Sequence, residues 1–174
     1  FIISGPSGVG KSTVLSALFR GRDDLYFSVS ATTRQPRIGE RDGVDYHFIS
    51  PDVFSDWIEK GEFLEYAEYV SNFYGTPKRY VDEAMSEGKD VILDIEIQGA
   101  QQVYAQRPDV VRIFIAPPSV EELEKRLRSR GDTSEEQIIK RLGRSKWEME
   151  QGKNYTDKLG MPVHKYQKAL GQTN

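Results

Sequence analysis

A nine-residue stretch near the start of the chain constrains its fold more than any other feature. Residues 5–13 match the pattern G-x-x-x-x-G-K-[ST] at every fixed position: Gly5, Pro6, Ser7, Gly8, Val9, Gly10, Lys11, Ser12 and Thr13. A short apolar run precedes this stretch, and apolar residues at helical spacing follow it from Val14 to Phe19. A strand, a glycine-rich turn and a helix in this order are the context that a phosphate-binding loop requires.

The chemistry of such a loop comes from its backbone. Glycines allow successive N–H groups to curl around phosphate oxygens, and the start of the helix adds the positive end of its dipole. Lys11 is expected to reach the β- and γ-phosphates, and Ser12 to offer its hydroxyl to Mg²⁺. The alternative is an ordinary glycine-rich turn before a lysine. The flanking pattern favours a loop that binds a nucleoside triphosphate.

Composition limits the class of protein. A chain of 174 residues with 37% hydrophobic and 29% charged residues is typical of one compact globular domain. The net charge of -3 argues against nucleic-acid binding, and the lack of cysteine excludes disulfides and thiolate metal sites. No apolar run reaches membrane-spanning length, so we expect a cytoplasmic protein without membrane association. The chain opens inside a strand, and we expect a few residues to precede it. No feature specifies an oligomeric state.

A loop rich in arginine follows the second predicted strand, residues 26–30. Pro36, Gly39 and Gly43 predict irregular structure over residues 31–43, which also contain Arg34, Arg37 and Arg41. Guanidinium groups bind phosphate through paired hydrogen bonds, so this loop could hold a second anion. The alternative is a solvated, salt-bridged surface loop.

Residues 30–84 are too long for a plain loop and predict a small inserted subdomain. We expect strands at 46–49 and 63–70, a helix capped by Ser50, a turn at 72–75 and a helix from Thr76 to about Gly88. A buried strand then runs from Asp90 to Ile95. It contains Asp94, a carboxylate placed as in P-loop enzymes that hold the water shell of Mg²⁺.

Two arginine-rich helices complete the pattern. Ser119 and Ser134 are their predicted N-caps, with a turn at 131–133 between them. The pair could form a lid that closes over a transferring phosphoryl group, or it could be an amphipathic surface hairpin with many ion pairs. His47 and His164 lie in no ligand or triad spacing and are expected to be structural or exposed.

Several sequence blocks together resemble the guanylate kinase family. They are G-P-S-G-V-G-K-S-T, S-A-T-T-R-Q-P-R-I-G-E, N-F-Y-G-T, L-D-I-E-I-Q-G and the R-G…K-R-L segment, in this order. The resemblance extends from Phe1 to about Tyr155. It implies an α/β fold with a P-loop NTPase-type parallel sheet flanked by helices, an inserted GMP-binding subdomain and a helical lid. It also implies transfer of the γ-phosphoryl group of ATP to GMP with Mg²⁺.

The resemblance also implies roles for individual residues. The expected ligands of the GMP phosphate are Arg34, Arg37, Tyr46 and Tyr74. The expected guanine pocket comprises Ser30, Glu65, Thr76 and Glu96. Asp94 would border the GMP site and hold Mg²⁺ through water, together with Ser12. The predicted catalytic residues are Lys11, Arg37, Arg130 and Arg141, and residues 5–13 would bind ATP.

The implied division of the chain is a core of residues 1–29, 85–118 and 150–174, a GMP-binding subdomain of residues 30–84 and a lid of residues 119–149. One segment departs from the family pattern. After Tyr155 the family continues with a hydrophobic strand that borders the adenine site, whereas Gly160 and Pro162 argue against such a strand here.

Two alternatives differ in function. The chain could be a non-catalytic guanylate-kinase-like domain that binds phosphorylated peptide, but such domains typically lack the P-loop residues that Lys11, Ser12 and Asp94 supply here. It could also be a P-loop kinase for another phosphorylated acceptor. The pairing of a carboxylate, Glu65, with a hydroxyl, Thr76, favours guanine.

Overall fold

The computed structural model describes residues 1–69, 71–129 and 134–155, with the Tyr69 side chain left out. The chain forms two compact units. The first unit contains Phe1–Arg22, Asp94–Ile97 and the described residues from Asp109 onward. The second unit contains Asp23–Leu93 and Gln98–Pro108.

The described residues contain helices and strands in the following chain order: β1 (Ile2–Ser4), α1 (Lys11–Leu18), β2 (Leu25–Phe27), β3 (Ala31–Thr32), β4 (His47–Phe48), α2 (Pro51–Glu59), β5 (Phe63–Tyr69), β6 (Asn72–Pro77), α3 (Lys78–Ser86), β7 (Asp90–Asp94), α4 (Ile97–Gln106), β8 (Arg112–Phe114), α5 (Val120–Ser129) and α6 (Glu135–Gly152).

The first unit is built on a parallel pair of strands and two packed helices. β1 pairs in parallel with β8, with Ile3 opposite Ile113. Helices α5 and α6 begin at the predicted caps: the hydroxyl oxygens of Ser119 and Ser134 each accept a hydrogen bond from a backbone N–H of the first helical turn. The buried core between these helices consists of Val9, Leu123, Leu127 and Ile138.

The second unit combines a parallel pair with a separate mixed sheet. β2 pairs in parallel with β7, with Tyr26 opposite Val91. The mixed sheet has the strand order β4-β3-β6-β5, in which β5 and β6 are antiparallel. Its core contains Ala31, Phe54 and Phe63, and the rings of Phe54 and Phe63 stack 4.4 Å apart. Parallel strand pairs flanked by helices confirm the predicted α/β class.

Four sequence predictions of local structure were wrong. The segment predicted to be irregular from residue 31 begins with β3, and the helix predicted from Thr76 begins at Lys78, because Thr76 and Pro77 belong to β6. The expected turn at 72–75 is the first part of β6, because Gly75 lacks a side chain and lets β6 approach Phe63: a Cβ at Gly75 would lie 2.8 Å from the Phe63 ring. The expected strand at 26–30 ends at Phe27. The Ser28 N–H still bonds to Ile92, but the carbonyl of Ser30 already accepts a bond from His47 in the mixed sheet.

The remaining expectations concern His47, the division of the chain and the residues after Tyr155. His47 is structural, since its ring stacks 4.4 Å from that of Tyr80. The division into core, subdomain and lid remains a prediction, and the tail after Tyr155 lies outside the described residues. Within the described ranges, no helix has the length and apolar character needed to cross a bilayer.

Candidate active site

The loop between β1 and α1 has the backbone that the motif predicts. Gly8 and Gly10 have φ angles of 87° and 101°, in the left-handed region that residues with a side chain rarely adopt. Gly10 is the N-cap of α1, so the first amides of the helix, those of Lys11 and Ser12, have no carbonyl one turn earlier in the helix to bind. Val9 anchors the loop because its side chain is buried in the core with Leu123 and Leu127. This arrangement can cradle phosphate oxygens.

The Lys11 side chain lies folded over this loop. Its ammonium group donates a 3.0 Å hydrogen bond to the carbonyl of Gly5 and lies 3.9 Å from Oδ1 of Asp94. Asp94 is the last residue of β7, where the sequence predicted a carboxylate. Burial raises the pKa of Asp94 above its ordinary value, and the charge of Lys11 opposes that rise. The predicted metal ligand Ser12 is exposed in the first turn of α1.

Two arginines of the paired helices contact the loop. Arg141 of α6 approaches the Ser7 hydroxyl at 3.4 Å, and its role at the phosphates stays a prediction. Arg126 of α5 donates a 3.0 Å hydrogen bond to the carbonyl of Val9. The sequence identified Arg126 only as one of several basic helix residues, because nothing local distinguishes it from its neighbours. Arg130, the other predicted lid arginine, lies outside the described residues.

A third arginine of the first unit joins two carboxylates. Arg144 of α6 forms an ion pair with Glu96, which follows β7, and its Nε lies 3.3 Å from Oε1 of Glu148. Burial raises the pKa of Glu148, while Arg144 favours its ionised form. Glu96, a predicted guanine-pocket residue, is exposed. The sequence gave no indication of the Arg144 contacts.

In the second unit, the predicted phosphate ligand Arg34 is held in a defined position. Its guanidinium group donates two hydrogen bonds of 3.0 and 2.9 Å to the carboxylate of Glu40. Its Cζ atom lies 5.4 Å from the ring centroid of Tyr46, and the Tyr46 and Tyr74 rings meet edge to face at 5.9 Å. Hydrogen bonding to Arg34 lowers the pKa of Glu40. Arg34, Tyr46 and Tyr74 are therefore neighbours, and their binding of the GMP phosphate stays a prediction.

Glu40 also orders the rest of the arginine loop, a role that the sequence did not reveal. Its Oε2 accepts a 2.7 Å hydrogen bond from the backbone N–H of Arg37, whose side chain is exposed. Ser30 is half-buried where the chain enters the mixed sheet. The loop thus presents one arginine fixed by Glu40 and a second that extends into solvent.

A buried carboxylate and hydroxyl pair lies on β5 and β6. Glu65 is 7% exposed and Thr76 is 1% exposed. The Thr76 hydroxyl donates a 2.6 Å hydrogen bond to Oε1 of Glu65. The two residues are opposite each other in the strand register. In this geometry Thr76 orients the carboxylate, and its hydroxyl would have to rotate before it could donate to a base.

The oxygen atoms of Asp94 and Ser12 are suited to a magnesium ion that is bound together with substrate phosphates. Among the described residues, no group of three or more His, Cys, Asp or Glu side chains could hold a metal ion. Mg²⁺ prefers oxygen ligands, keeps several waters and is commonly held by one or two carboxylates plus substrate phosphates. One carboxylate, Asp94, and one hydroxyl, Ser12, fit this pattern.

Comparison with known proteins gives independent evidence on the family of this chain. A family model described as guanylate kinase matches residues 1–159. A guanylate kinase of Clostridioides difficile is 50% identical over 154 residues, which cover 88% of this chain and 75% of that protein. A guanylate kinase of Synechocystis is 43% identical over 176 aligned positions, covering 98% and 92% of the two chains.

A solved structure extends the likeness to the fold. The crystal structure of guanylate kinase from Anaplasma phagocytophilum matches with a TM-score of 0.58 and 29% identity, over 98% of this chain and 93% of that one. The family model spans most of the chain, and the relatives are aligned over most of their own lengths. The chain therefore belongs to the guanylate kinase family.

Proposed function

We propose that this protein transfers the γ-phosphoryl group of ATP to GMP and releases ADP and GDP. The observation that carries the proposal is the buried pair of Glu65 and Thr76 in a chain that also has a complete phosphate-binding loop. The Glu65 carboxylate accepts a hydrogen bond from Thr76 and has further acceptor capacity, and the guanine edge offers two adjacent donors, N1–H and the 2-amino group. Adenine has an acceptor at N1, which would face the carboxylate of Glu65 with no proton between the two acceptors.

The arginine loop supplies the expected grip on the phosphate of GMP. Arg34 is already aligned by Glu40 and by the neighbouring rings of Tyr46 and Tyr74. Because the Arg34 side chain is already ordered, phosphate binding has a smaller entropic cost. Arg37 extends into solvent and would add a second guanidinium group on binding.

The residues of the first unit would hold the triphosphate of ATP. The loop amides and Lys11 would bind the β- and γ-phosphates, and Arg141 and Arg130 would neutralise charge on the phosphoryl group in transfer. Mg²⁺, held with the phosphates by Ser12 and through water by Asp94, would screen the negative charge of the phosphates. Lys11 would then exchange its bond to the Gly5 carbonyl for bonds to phosphate oxygens.

No protein nucleophile is needed for this reaction. A phosphate monoester has a second pKa of about 6, so GMP is largely dianionic near neutral pH. One of its oxygens attacks the γ-phosphorus of ATP, a new P–O bond forms, and the bond to the β-phosphate oxygen breaks with release of ADP. Positioning and charge stabilisation are the contributions of this chain.

A substrate panel tests the proposal. The purified chain is given ATP and Mg²⁺ with GMP, dGMP, AMP or UMP, and ADP release is followed while mass spectrometry identifies the product. We expect GDP from GMP, turnover of dGMP, and turnover of AMP and UMP lower by at least about a hundredfold, as loss of buried hydrogen bonds implies. Failure to convert GMP, or equal use of AMP, would overturn the proposal.

A further inference from the structure

The strand that carries Glu65 lies at the edge of the mixed sheet. In the order β4-β3-β6-β5, strand β5 pairs with β6 on one side only. An edge strand presents a row of backbone N–H and C=O groups that need other partners. In this protein, helix α4 provides partners for the residues on both sides of Glu65.

Two glutamine side chains of α4 bind the β5 backbone. The Gln102 side-chain amide accepts a 3.2 Å hydrogen bond from the N–H of Tyr66 and donates a 2.9 Å hydrogen bond to the carbonyl of the same residue. Gln106 donates a 2.7 Å hydrogen bond to the carbonyl of Leu64. The residues before and after Glu65 are therefore both fixed to one helix, at sequence separations of 36 and 42.

These bonds hold a local irregularity in the strand. Phe63 pairs with Pro77, whereas Glu65 pairs with Thr76, so the register shifts between Phe63 and Glu65. Such a bulge re-aims side chains, and here Phe63, Leu64 and Glu65 are all buried rather than alternating. The bulge turns the Glu65 carboxylate into the unit, and the glutamines of α4 bind the backbone at and just beyond this point.

A glycine of α4 defines where the carboxylate itself lies. A Cβ at Gly99 would lie 2.9 Å from Cδ and 3.2 Å from Cγ of Glu65, and Oε2 would be closer still. The three nearest atoms all belong to the Glu65 side chain and none to backbone. A methyl group at this position would therefore displace the carboxylate without pushing the strand. One carboxylate oxygen is thus held by Thr76 and the other lies against Gly99.

We propose that α4 sets the specificity for guanine by positioning Glu65, with Gly99, Gln102 and Gln106 as positioning residues. The inference rests on the proposed function and names residues that would not themselves touch the nucleotide. A carboxylate that accepts from N1–H and the 2-amino group together must be coplanar with the base edge, because hydrogen bonds weaken steeply as their angle falls. A small displacement would cost the bond to the 2-amino group.

The test compares GMP with IMP, whose hypoxanthine base keeps N1–H and the 6-oxo group but lacks the 2-amino group. In the wild type, the ratio of kcat/KM for GMP to that for IMP measures the contribution of the 2-amino group. We expect Gly99→Ala to lower this ratio by about tenfold or more, the scale of one hydrogen bond to a charged group. The KM for GMP should rise more than kcat falls, and the KM for ATP should change less than about twofold.

A second pair of variants addresses the strand. Gln102→Met and Gln106→Met keep side-chain length and helix propensity but remove the amide bonds to β5. We expect the GMP to IMP ratio to fall severalfold in each and further in the double variant. Gln101→Met is the matched control, because Gln101 is an exposed glutamine of the same helix, and its ratio should stay at the wild-type value.

The possible outcomes separate the two proposals. Alanine has a higher helix propensity than glycine by about 1 kcal/mol, so Gly99→Ala should not weaken α4 itself. A lower melting temperature or kcat with an unchanged GMP to IMP ratio in Gly99→Ala and in Gln102→Met would show a merely structural role and overturn this inference. If Gly99→Ala does not fold, the ratio in Gln102→Met decides. A wild type that leaves GMP unphosphorylated would instead overturn the proposed function.

Discussion

The ammonium group of Lys11 lies 3.9 Å from Oδ1 of Asp94, and both side chains are largely buried. The same ammonium group is bonded to the carbonyl of Gly5, so two negative or partly negative groups hold it at the loop. Phosphate oxygens would compete with both. The lysine is therefore already on the loop that we propose to receive the triphosphate, and it needs only to exchange partners.

Lys11→Ala should reduce kcat for GMP phosphorylation by about a hundredfold to a thousandfold, the usual effect of removing one preorganised group that stabilises transition-state charge. Its melting temperature should stay within a few degrees of the wild type, since Lys11 is not part of the apolar core. Steady-state ADP release and a circular-dichroism melt measure the two effects. The exposed Lys125→Ala is the control. Wild-type turnover in Lys11→Ala would contradict the mechanism.

Asp94→Asn should reduce activity and increase stability at neutral pH. Burial raises the pKa of Asp94, so the folded state binds its proton more tightly than the unfolded state does. The ordinary pKa of aspartate is about 4. The stability that this group contributes is therefore complete below about pH 4 and is lost as pH rises through the raised pKa of the folded state. The free energy of unfolding of Asp94→Asn relative to wild type should thus increase from pH 4 to pH 8.

Urea unfolding of both proteins across this pH range measures that difference. Activity of Asp94→Asn should fall about tenfold to a hundredfold if the carboxylate orients the water shell of Mg²⁺. A difference in stability that shrinks as pH rises would show that attraction to Lys11 outweighs burial.

Arg37→Ala should weaken binding of GMP far more than binding of ATP. The Arg37 side chain is exposed, and the residue is held in the loop through its backbone, whose N–H donates to Glu40, so the side chain can move onto an incoming phosphate. Loss of a charge-assisted hydrogen bond should raise the Kd for GMP about tenfold to a hundredfold. Calorimetric titration with each nucleotide measures this, with Arg41→Ala of the same loop as control. Equal losses for both nucleotides would remove Arg37 from the GMP site.

The parts of the fold that local rules determine were predictable from the sequence. The P-loop, the buried strand ending at Asp94 and the serine caps at Ser50, Ser119 and Ser134 each depend on residues within a few positions of one another. β6 was missed because Asn72 and Gly75 resemble turn residues locally. Gly75 is explained by the Phe63 ring and the Glu65 carbonyl, which both come from the neighbouring strand β5 and leave no room for a side chain.

In the candidate site, too, some features could be predicted from the sequence and others depend on contacts between distant residues. The family resemblance assigned Arg34, Tyr46 and Tyr74 to one binding site for the GMP phosphate, but it did not indicate the glutamate that fixes the arginine. The contacts of Arg126 with the loop and of Gln102 with β5 join residues 117 and 36 positions apart. Pairings at such separations depend on tertiary packing, which composition and periodicity do not encode.

Tyr155→Phe should destabilise the first unit by about 1 kcal/mol. Tyr155 is 2% exposed, and its hydroxyl lies 3.2 Å from the Ser4 hydroxyl, which in turn donates a 2.8 Å hydrogen bond to the carbonyl of Ile95. The Tyr155 hydroxyl is therefore the donor to Ser4, and its loss removes one buried hydrogen bond but leaves the aromatic contact with Phe114. Urea unfolding measures the change.

Tyr155→Ala also removes the ring and should cost about 3–5 kcal/mol. Because Ser4 directly precedes the phosphate-binding loop, we expect this variant to raise the KM for ATP severalfold at temperatures where it remains folded. Tyr66→Phe, at an exposed tyrosine of β5, is the control and should change stability by less than about 0.5 kcal/mol. If Tyr155→Ala lost less than about 1 kcal/mol, the residues before the loop would not depend on this contact for their position.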